Sequence, residues 1–230
     1  MKERVFTFWE GDMPAYLKLC LNTWKFDYTI LTYENLNEYT NLDIDKLKRF
    51  TLPQIADIVR VHVLRDSGGY WLDADTIMVT SKLPTETMIG YPTTRANTIG
   101  YLHAKEAHEP MFEEWAKYQD EVINNDTIPL TWDVVGNAFT DRYVKEHPEI
   151  TIADVSRCWA ETYLAQGITS RYSQYRQVYF ARKFTLSDFE KTDMIMLHNS
   201  WTPEWYKGYS VYNIQRDNCT MSNLLKELAL

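Results

Sequence analysis

The chain has 230 residues, 45% hydrophobic and 24% charged, with a net charge of −8 at pH 7. That size and mixture suit one globular domain with an ordinary core and exclude a disordered or collagen-like chain. The negative balance argues against general affinity for nucleic acid.

Cys20, Cys158 and Cys219 are far apart and form no CxxC pair, so reduced thiols are expected, not a zinc site or a disulfide framework. The opening MKERVFTFWEGDMP has a charged tip but too short an apolar stretch for a signal-peptide core. No run reaches the length of a membrane-spanning helix. The expectation is a cytoplasmic chain with peripheral contact at the inner face of the membrane left open.

RVFTFW (4–9) predicts a short buried strand, ended by Gly11 and Pro14. Leu17, Cys20, Leu21 and Trp24 recur at helical spacing, and YTILTY (28–33) predicts a second strand. Strand, helix, strand is the pattern of a parallel, right-handed unit. Residues 34–50 are polar and predict no clear element. Thr51 and Gln54 form a candidate capping box with Pro53 in the first turn; Leu52, Ile55, Ala56, Val59 and Val63 share a face; Asp66-Ser67-Gly68-Gly69 ends the helix. YWLDAD then predicts a strand, and TIMV (76–79) either continues it or begins another. TMIGYP (87–92) and TIGYLHA (98–104) predict further strands. Helices are expected from Pro110 through MFEEWAKYQDEVI and over VGNAFTDRYVKEH, with late strands at ITIADV and DMIMLHNSW. The pattern is α/β, more irregular in its C-terminal third.

Asp73 and Asp75 crowd two like charges at the end of an apolar run. In an extended chain, residues i and i+2 face one side, roughly 6.5–7 Å apart. Two carboxylates so close repel unless a cation lies beside them. A hard divalent ion with oxygen ligands, Mg²⁺ or Mn²⁺, commonly also holds substrate phosphates. Ligands of parallel α/β sheets bind at the carboxyl ends of strands. The competing reading is a plain Asp-Ala-Asp turn. Asp57 and Arg60, three residues apart, share one side of the preceding helix; the bland reading there is a surface ion pair worth a few tenths of a kcal/mol. His198 reads as lying in an apolar strand, where a hydrogen-bonded structural histidine is the default. RYSQYRQVYFARK (171–183) carries four positive charges, no acids and several aromatic rings. It suits either an anionic partner or a solvated edge.

The stretch IADIVRVHVLRDSGGYWLDADT resembles the signature of the DXD-containing sugar transferases of GT-A fold, among them capsular polysaccharide transferases, yeast α-mannosyltransferase-like enzymes of glycosyltransferase family 32 and the glucosylating domains of large clostridial toxins. The shared elements are small-Asp-apolar-apolar-Arg, a helix, a glycine pair, an aromatic and apolar-Asp-x-Asp. VFTFWEG, NTWKFDYTILTYE, VVGNAFTDRY and MIMLHNSW resemble further family segments more loosely.

The resemblance implies a nucleotide-diphospho-sugar transferase fold, with a Rossmann-like, mostly parallel central sheet flanked by helices. It implies a single domain over 1–230, with a nucleotide-binding half to about residue 80 and an acceptor half beyond it, ending in a segment that contacts metal and phosphate. Phe8 and Trp9 would flank the base. Asp73 would reach ribose or sugar hydroxyls, and Asp57, Arg60 and Asn137 the hexose or acceptor. Asp75 would bind Mn²⁺ or Mg²⁺, with His198 or Ser200 as a further ligand, and Trp201 would contact the leaving phosphate. Asp57, Arg60, Asp73 and Asp75 are the catalytic set so implied. The reaction implied is retaining transfer of a hexose, from UDP by resemblance, to a saccharide or lipid-linked saccharide in capsule or surface polysaccharide synthesis.

WLDADT also resembles the DxDxT motif of haloacid-dehalogenase-type phosphatases, with its threonine one place early, although that motif belongs on a first strand and this one follows a strand–helix–strand unit. A third reading is an inactive sugar-nucleotide-binding subunit. No P-loop and no GxGxxG is present in the sequence.

Overall fold

The computed structural model describes residues 4–91 and 96–230. Met1, Lys2 and Glu3 of the charged tip, and Pro92 at the end of the predicted TMIGYP strand, lie outside them. In chain order the elements are β1 (Val5–Phe8), α1 (Ala15–Asn22), β2 (Thr29–Leu31), α2 (Leu52–Ser67), β3 (Gly69–Leu72), β4 (Thr76–Met78), β5 (Met88–Tyr91), β6 (Ala96–Ala104), α3 (Pro110–Ile123), α4 (Asn137–Glu146), β7 (Ile152–Asp154), α5 (Glu161–Leu164), α6 (Arg171–Arg176), β8 (Met194–Met196), α7 (Glu204–Lys207), α8 (Val211–Arg216) and α9 (Thr220–Ala229). Residues 34–50 hold two short 3-10 turns, Leu36–Glu38 and Ile44–Leu47. By packing, the chain sorts into two units that interleave along the sequence. The first is Met1–Glu10, Asp27–Asp73 and Pro84–Asp154; the second is Gly11–Phe26, Ala74–Leu83 and Val155–Leu230.

The first unit is built on a sheet of order β2-β1-β3-β6-β5-β7. β1 runs parallel to β2 and β3, and β5 parallel to β7, while β6 runs against both its neighbours. The sheet is therefore mostly parallel, as expected of an α/β chain. Helix α2 begins where Gln54 Oε1 accepts the Thr51 N–H at 3.0 Å. It ends at Gly68, whose φ of +63° and N–H to the Leu64 carbonyl (2.9 Å) close the last turn. The predicted single apolar face is a correction: Ile58, Val61 and Leu64 are as buried as Val59 and Val63, while Leu52 is 44% exposed. The reason is position, since α2 packs on β1, β3 and β6 and against α3, and so is covered nearly all round. Phe6, Trp71, Leu102, Phe112 and Trp115 are at most 1% exposed in this core. Each such side chain contributes roughly 1.5–3 kcal/mol by leaving water.

In the second unit β4 pairs antiparallel with β8, Ile77 opposite Ile195. Helix α1 packs on β4, α8 and α9. Trp24 Nε1 donates to the Thr76 carbonyl at 2.8 Å, and Thr23 Oγ1 accepts the Met78 N–H at 2.8 Å, so the end of α1 is stitched to β4. Two sequence expectations change here. YWLDAD is not one strand: β3 stops at Leu72, the Asp73 N–H makes one more bond to the Gly100 carbonyl (2.9 Å), and Ala74-Asp75 turn. DMIMLHNSW is strand only over Met194–Met196. His198 lies in the turn that follows, its carbonyl accepting the N–H groups of Trp201 (2.8 Å) and Thr202 (3.0 Å). Among the described residues no helix is long and apolar enough to cross a membrane.

Candidate functional site

In the first unit the third turn of α2 carries Arg60 inward, leaving its side chain 5% exposed. The one nitrogen Nη2 lies 2.9 Å from Asp57 Oδ1 and 3.1 Å from Asp73 Oδ1. Nη1 donates to the Ile99 carbonyl, and Nε to that of Ala56 at 3.3 Å. The guanidinium also sits 5.1 Å from the Trp71 ring, whose Nε1 donates to Asp73 Oδ1 at 2.8 Å. Helix, strand end and β6 backbone thus converge on one fork of donors, which an ammonium cannot copy. The surface-pair reading of Asp57 and Arg60 is overturned, since both are withdrawn from solvent. Burial raises the Asp57 carboxyl to about 6; Arg60 opposes the rise and the neighbouring Asp73 adds to it.

Gly136 backs this group. A Cβ there would stand 3.0 Å from Asp57 Oδ2 and 2.8 Å from Ile99 Cδ1. Gln119 Nε2 donates to the carbonyls of Asp57 (3.0 Å) and Val135 (2.6 Å), fixing α2 to the loop before α4. Asn137 opens α4 and donates to the Asn97 carbonyl at 3.1 Å. At the end of β1, Phe8 is 6% exposed and packs edge-on to Tyr33, centroids 5.6 Å apart. Trp9 is half-buried; its N–H reaches the Leu31 carbonyl at 3.1 Å, while its indole N–H is buried without a partner among the described residues.

The second unit holds Asp75 and the turn 198–201. Asp75 Oδ2 accepts the Asn199 N–H at 2.8 Å, and its carbonyl accepts the Leu197 N–H at 3.1 Å. Tyr16 donates its hydroxyl to Asn199 Oδ1. Burial, with Asp75 nearby, pushes the Tyr16 phenol far above its usual range, so it stays a donor. Ser200 is exposed beside this tether. His198 Nε2 is 3.4 Å from Arg171 Nη2, and its ring lies 3.9 Å from that of Trp201. Burial first, then the Arg171 charge, lowers the imidazole to about 3, so it is neutral. Arg171 itself lies 3.8 Å over the Trp159 ring. Tyr175 and Thr202 share a hydroxyl bond of 2.8 Å behind the turn.

The residues singled out in the sequence therefore form two groups, one within each unit: Asp57, Arg60 and Asp73 in the first, Asp75, His198, Ser200 and Trp201 in the second. Sequence reasoning missed Trp71, Ile99, Gly136, Asn199, Tyr16 and Arg171. Of these only Arg171 left a signal, inside the basic, aromatic stretch 171–183. Ile99, Gly136 and Asn199 act through a carbonyl, a missing Cβ and a turn N–H, which residue type does not announce, while Trp71 and Tyr16 act through side-chain donors whose partners only folding supplies.

Among the described residues no group of three or more His, Cys, Asp and Glu side chains gathers to hold a metal ion. The donors near Asp75 are a carboxylate, a hydroxyl and a neutral imidazole. That set suits a hard cation sharing its coordination with substrate phosphates, not an all-protein cage.

No curated protein matches the chain. Among solved structures, one titled PaToxG glycosyltransferase is similar at 16% identity, with 83% of each chain covered and a TM-score of 0.40. The family of capsular polysaccharide synthesis proteins matches residues 1–196, most of the sequence, and the chain belongs to that family.

Proposed function

We propose that this chain is a glycosyltransferase that moves a hexose from a nucleotide sugar, a UDP-hexose by sequence resemblance, to a saccharide or lipid-linked saccharide in capsule assembly, with retention at the anomeric carbon. The observation that carries the reading is the Asp57–Arg60–Asp73 group, in which a buried guanidinium holds two carboxylates and Asp73 stays partly open to solvent. A structural ion pair has no need of a second carboxylate, whereas hexose and ribose hydroxyls need several acceptors and donors fixed in place. Membership of a capsule-synthesis family supports a saccharide product.

In this reading Asp57 and Arg60 hold hexose hydroxyls, and Asp73 takes a ribose or sugar hydroxyl with the oxygen sites that Arg60 and Trp71 leave to it. Trp9 offers the base a ring face and a buried indole N–H that lacks a partner among the described residues. Asp75, oriented by the Asn199 N–H, would hold Mn²⁺ or Mg²⁺ with His198 or Ser200, and a bound ion supplies positive charge to the departing diphosphate. Trp201 covers the leaving phosphate, and Asn137 faces the acceptor. The acceptor's proton leaves to the diphosphate itself, so no side chain is assigned as general base.

Thermal shift with UDP- and GDP-hexoses, with and without Mn²⁺, followed by donor hydrolysis, tests this. A UDP-hexose with Mn²⁺ should raise Tm and be hydrolysed slowly. Asp75→Ala should lose hydrolysis by about 10²-fold or more with an unchanged circular dichroism spectrum. Stabilisation without hydrolysis would mark an inactive binding subunit, and no response to any nucleotide sugar would end the proposal.

A further inference from the structure

Helix α6 and the π-type turn that continues it, Gln177–Ala181, bury Tyr175, Val178 and Tyr179 completely. Their other face is a different surface. Tyr172 is 47% exposed, and Arg176 lies over its ring at 5.7 Å, donating to its hydroxyl at 3.3 Å. One turn on, Phe180 meets Trp205 edge-on with centroids 6.0 Å apart, and Trp205 is 48% exposed. Arg182 and Lys183 follow, both exposed. The acids closest along the chain are engaged: Glu204 pairs with Lys207 at 2.7 Å, and Asp188 accepts the Thr185 N–H at 2.8 Å.

The charge of the whole chain hides this surface. The second unit has twelve Lys and Arg against nine Asp and Glu, a net +3, while the first has twelve against twenty-three, a net −11. Cationic groups and exposed rings concentrate in a chain that is otherwise strongly acidic.

We propose that this face, Tyr172, Arg176, Phe180, Arg182, Lys183 and Trp205, docks on an anionic lipid bilayer. Amphipathic rings settle at the headgroup level, and Lys and Arg close to them are drawn to anionic lipid. Charge complementarity selects this occupant. The inference does not rest on the transferase reading, because none of these side chains is placed in the donor site.

The test is flotation of the full chain with phosphatidylcholine vesicles, with and without phosphatidylglycerol. The chain should float only with the anionic vesicles, and raised salt should release it. The triple variant Arg176→Glu, Arg182→Glu, Lys183→Glu should lower partition about tenfold or more. Tyr172→Ser with Trp205→Ser should lower it about fivefold. Circular dichroism and donor hydrolysis should not change in the charge variant. Equal flotation with both vesicles, or unchanged partition of the charge variant, overturns the proposal. So does a concentration-dependent dimer in ultracentrifugation that Trp205→Ser abolishes, which would give the face to a second copy of the chain.

Discussion

Arg60 brings one positive charge to two carboxylates, and a single nitrogen of its fork serves both. Lysine has the charge but only one nitrogen, so it cannot also reach the Ile99 and Ala56 carbonyls. Arg60→Lys should therefore cost on the order of 2 kcal/mol of stability and lower kcat/KM by about 10²-fold or more, measured where circular dichroism shows the variant folded. Unchanged kinetics would remove Arg60 from the site. Asp57 supplies a sharper test. Its folded pKa, about 6, lies above the ordinary carboxylate value because burial outweighs the attraction of Arg60. The folded state thus binds a proton more tightly than the unfolded one. The stabilisation this gives is present at low pH and is lost as pH rises from about 4 through 6. Asn copies the protonated form and carries no such dependence. Asp57→Asn should match the wild type in denaturant stability near pH 4, and exceed it by on the order of 2 kcal/mol at pH 8, while losing activity. A variant less stable at pH 8 would mean that the ion pair, not burial, governs this group.

At the scale of elements, the glycine pair after α2 is where local chemistry decides the topology. Gly69 has φ +96°, and a Cβ there would lie 2.4 Å from the Arg4 carbonyl oxygen. That backbone is in place to accept the Tyr70 N–H at 2.8 Å and set β3 beside β1. Gly69→Ala should cost about 2–3 kcal/mol in urea unfolding, with kcat little changed in the molecules that remain folded, because the strain falls at the opposite end of β3 from Asp73. The same stretch shows how far sequence pattern reaches. The α2 boundaries were legible because a cap, a proline and a glycine pair are local devices, and β1, β2 and α3 followed from period and length. Leu52 and the extent of the YWLDAD strand were misread because burial and pairing are decided elsewhere: α2 is covered by the sheet and α3, and β4 finds β8 more than a hundred residues later. The helices from α5 to α8 are short, and a helix of four to six residues carries too few turns for periodicity to register.

At the scale of the molecule, charge is the property that the composition gives only as a sum. The net −8 correctly warned of an acidic chain, but its separation into −11 and +3 depends on which segments pack together, and the chain passes between the interleaved units five times. The candidate residues were legible for a related reason: Asp57, Arg60, Asp73 and Asp75 fall within one short stretch, whereas folding alone brings Gly136 to Asp57 in the first unit and Asn199 to Asp75 and Tyr16 in the second. The separation of charge has a measurable consequence for stability. Eleven uncompensated negative charges on the first unit repel one another when folding confines them, and the repulsion has the range of the Debye length. Raising NaCl from about 20 to 300 mM shortens that length from roughly 20 Å to under 10 Å, which weakens repulsion between surface carboxylates but leaves the buried Arg60 group nearly untouched. Tm should therefore rise by a few degrees with salt, more than in sucrose of equal osmolality. Over the same range the attraction of Arg176, Arg182 and Lys183 to anionic vesicles should fall. The two responses have opposite sign because one comes from excess like charge within a unit and the other from attraction to a partner. A Tm that falls as salt is added would show that surface ion pairs, not net repulsion, dominate the electrostatics of this fold.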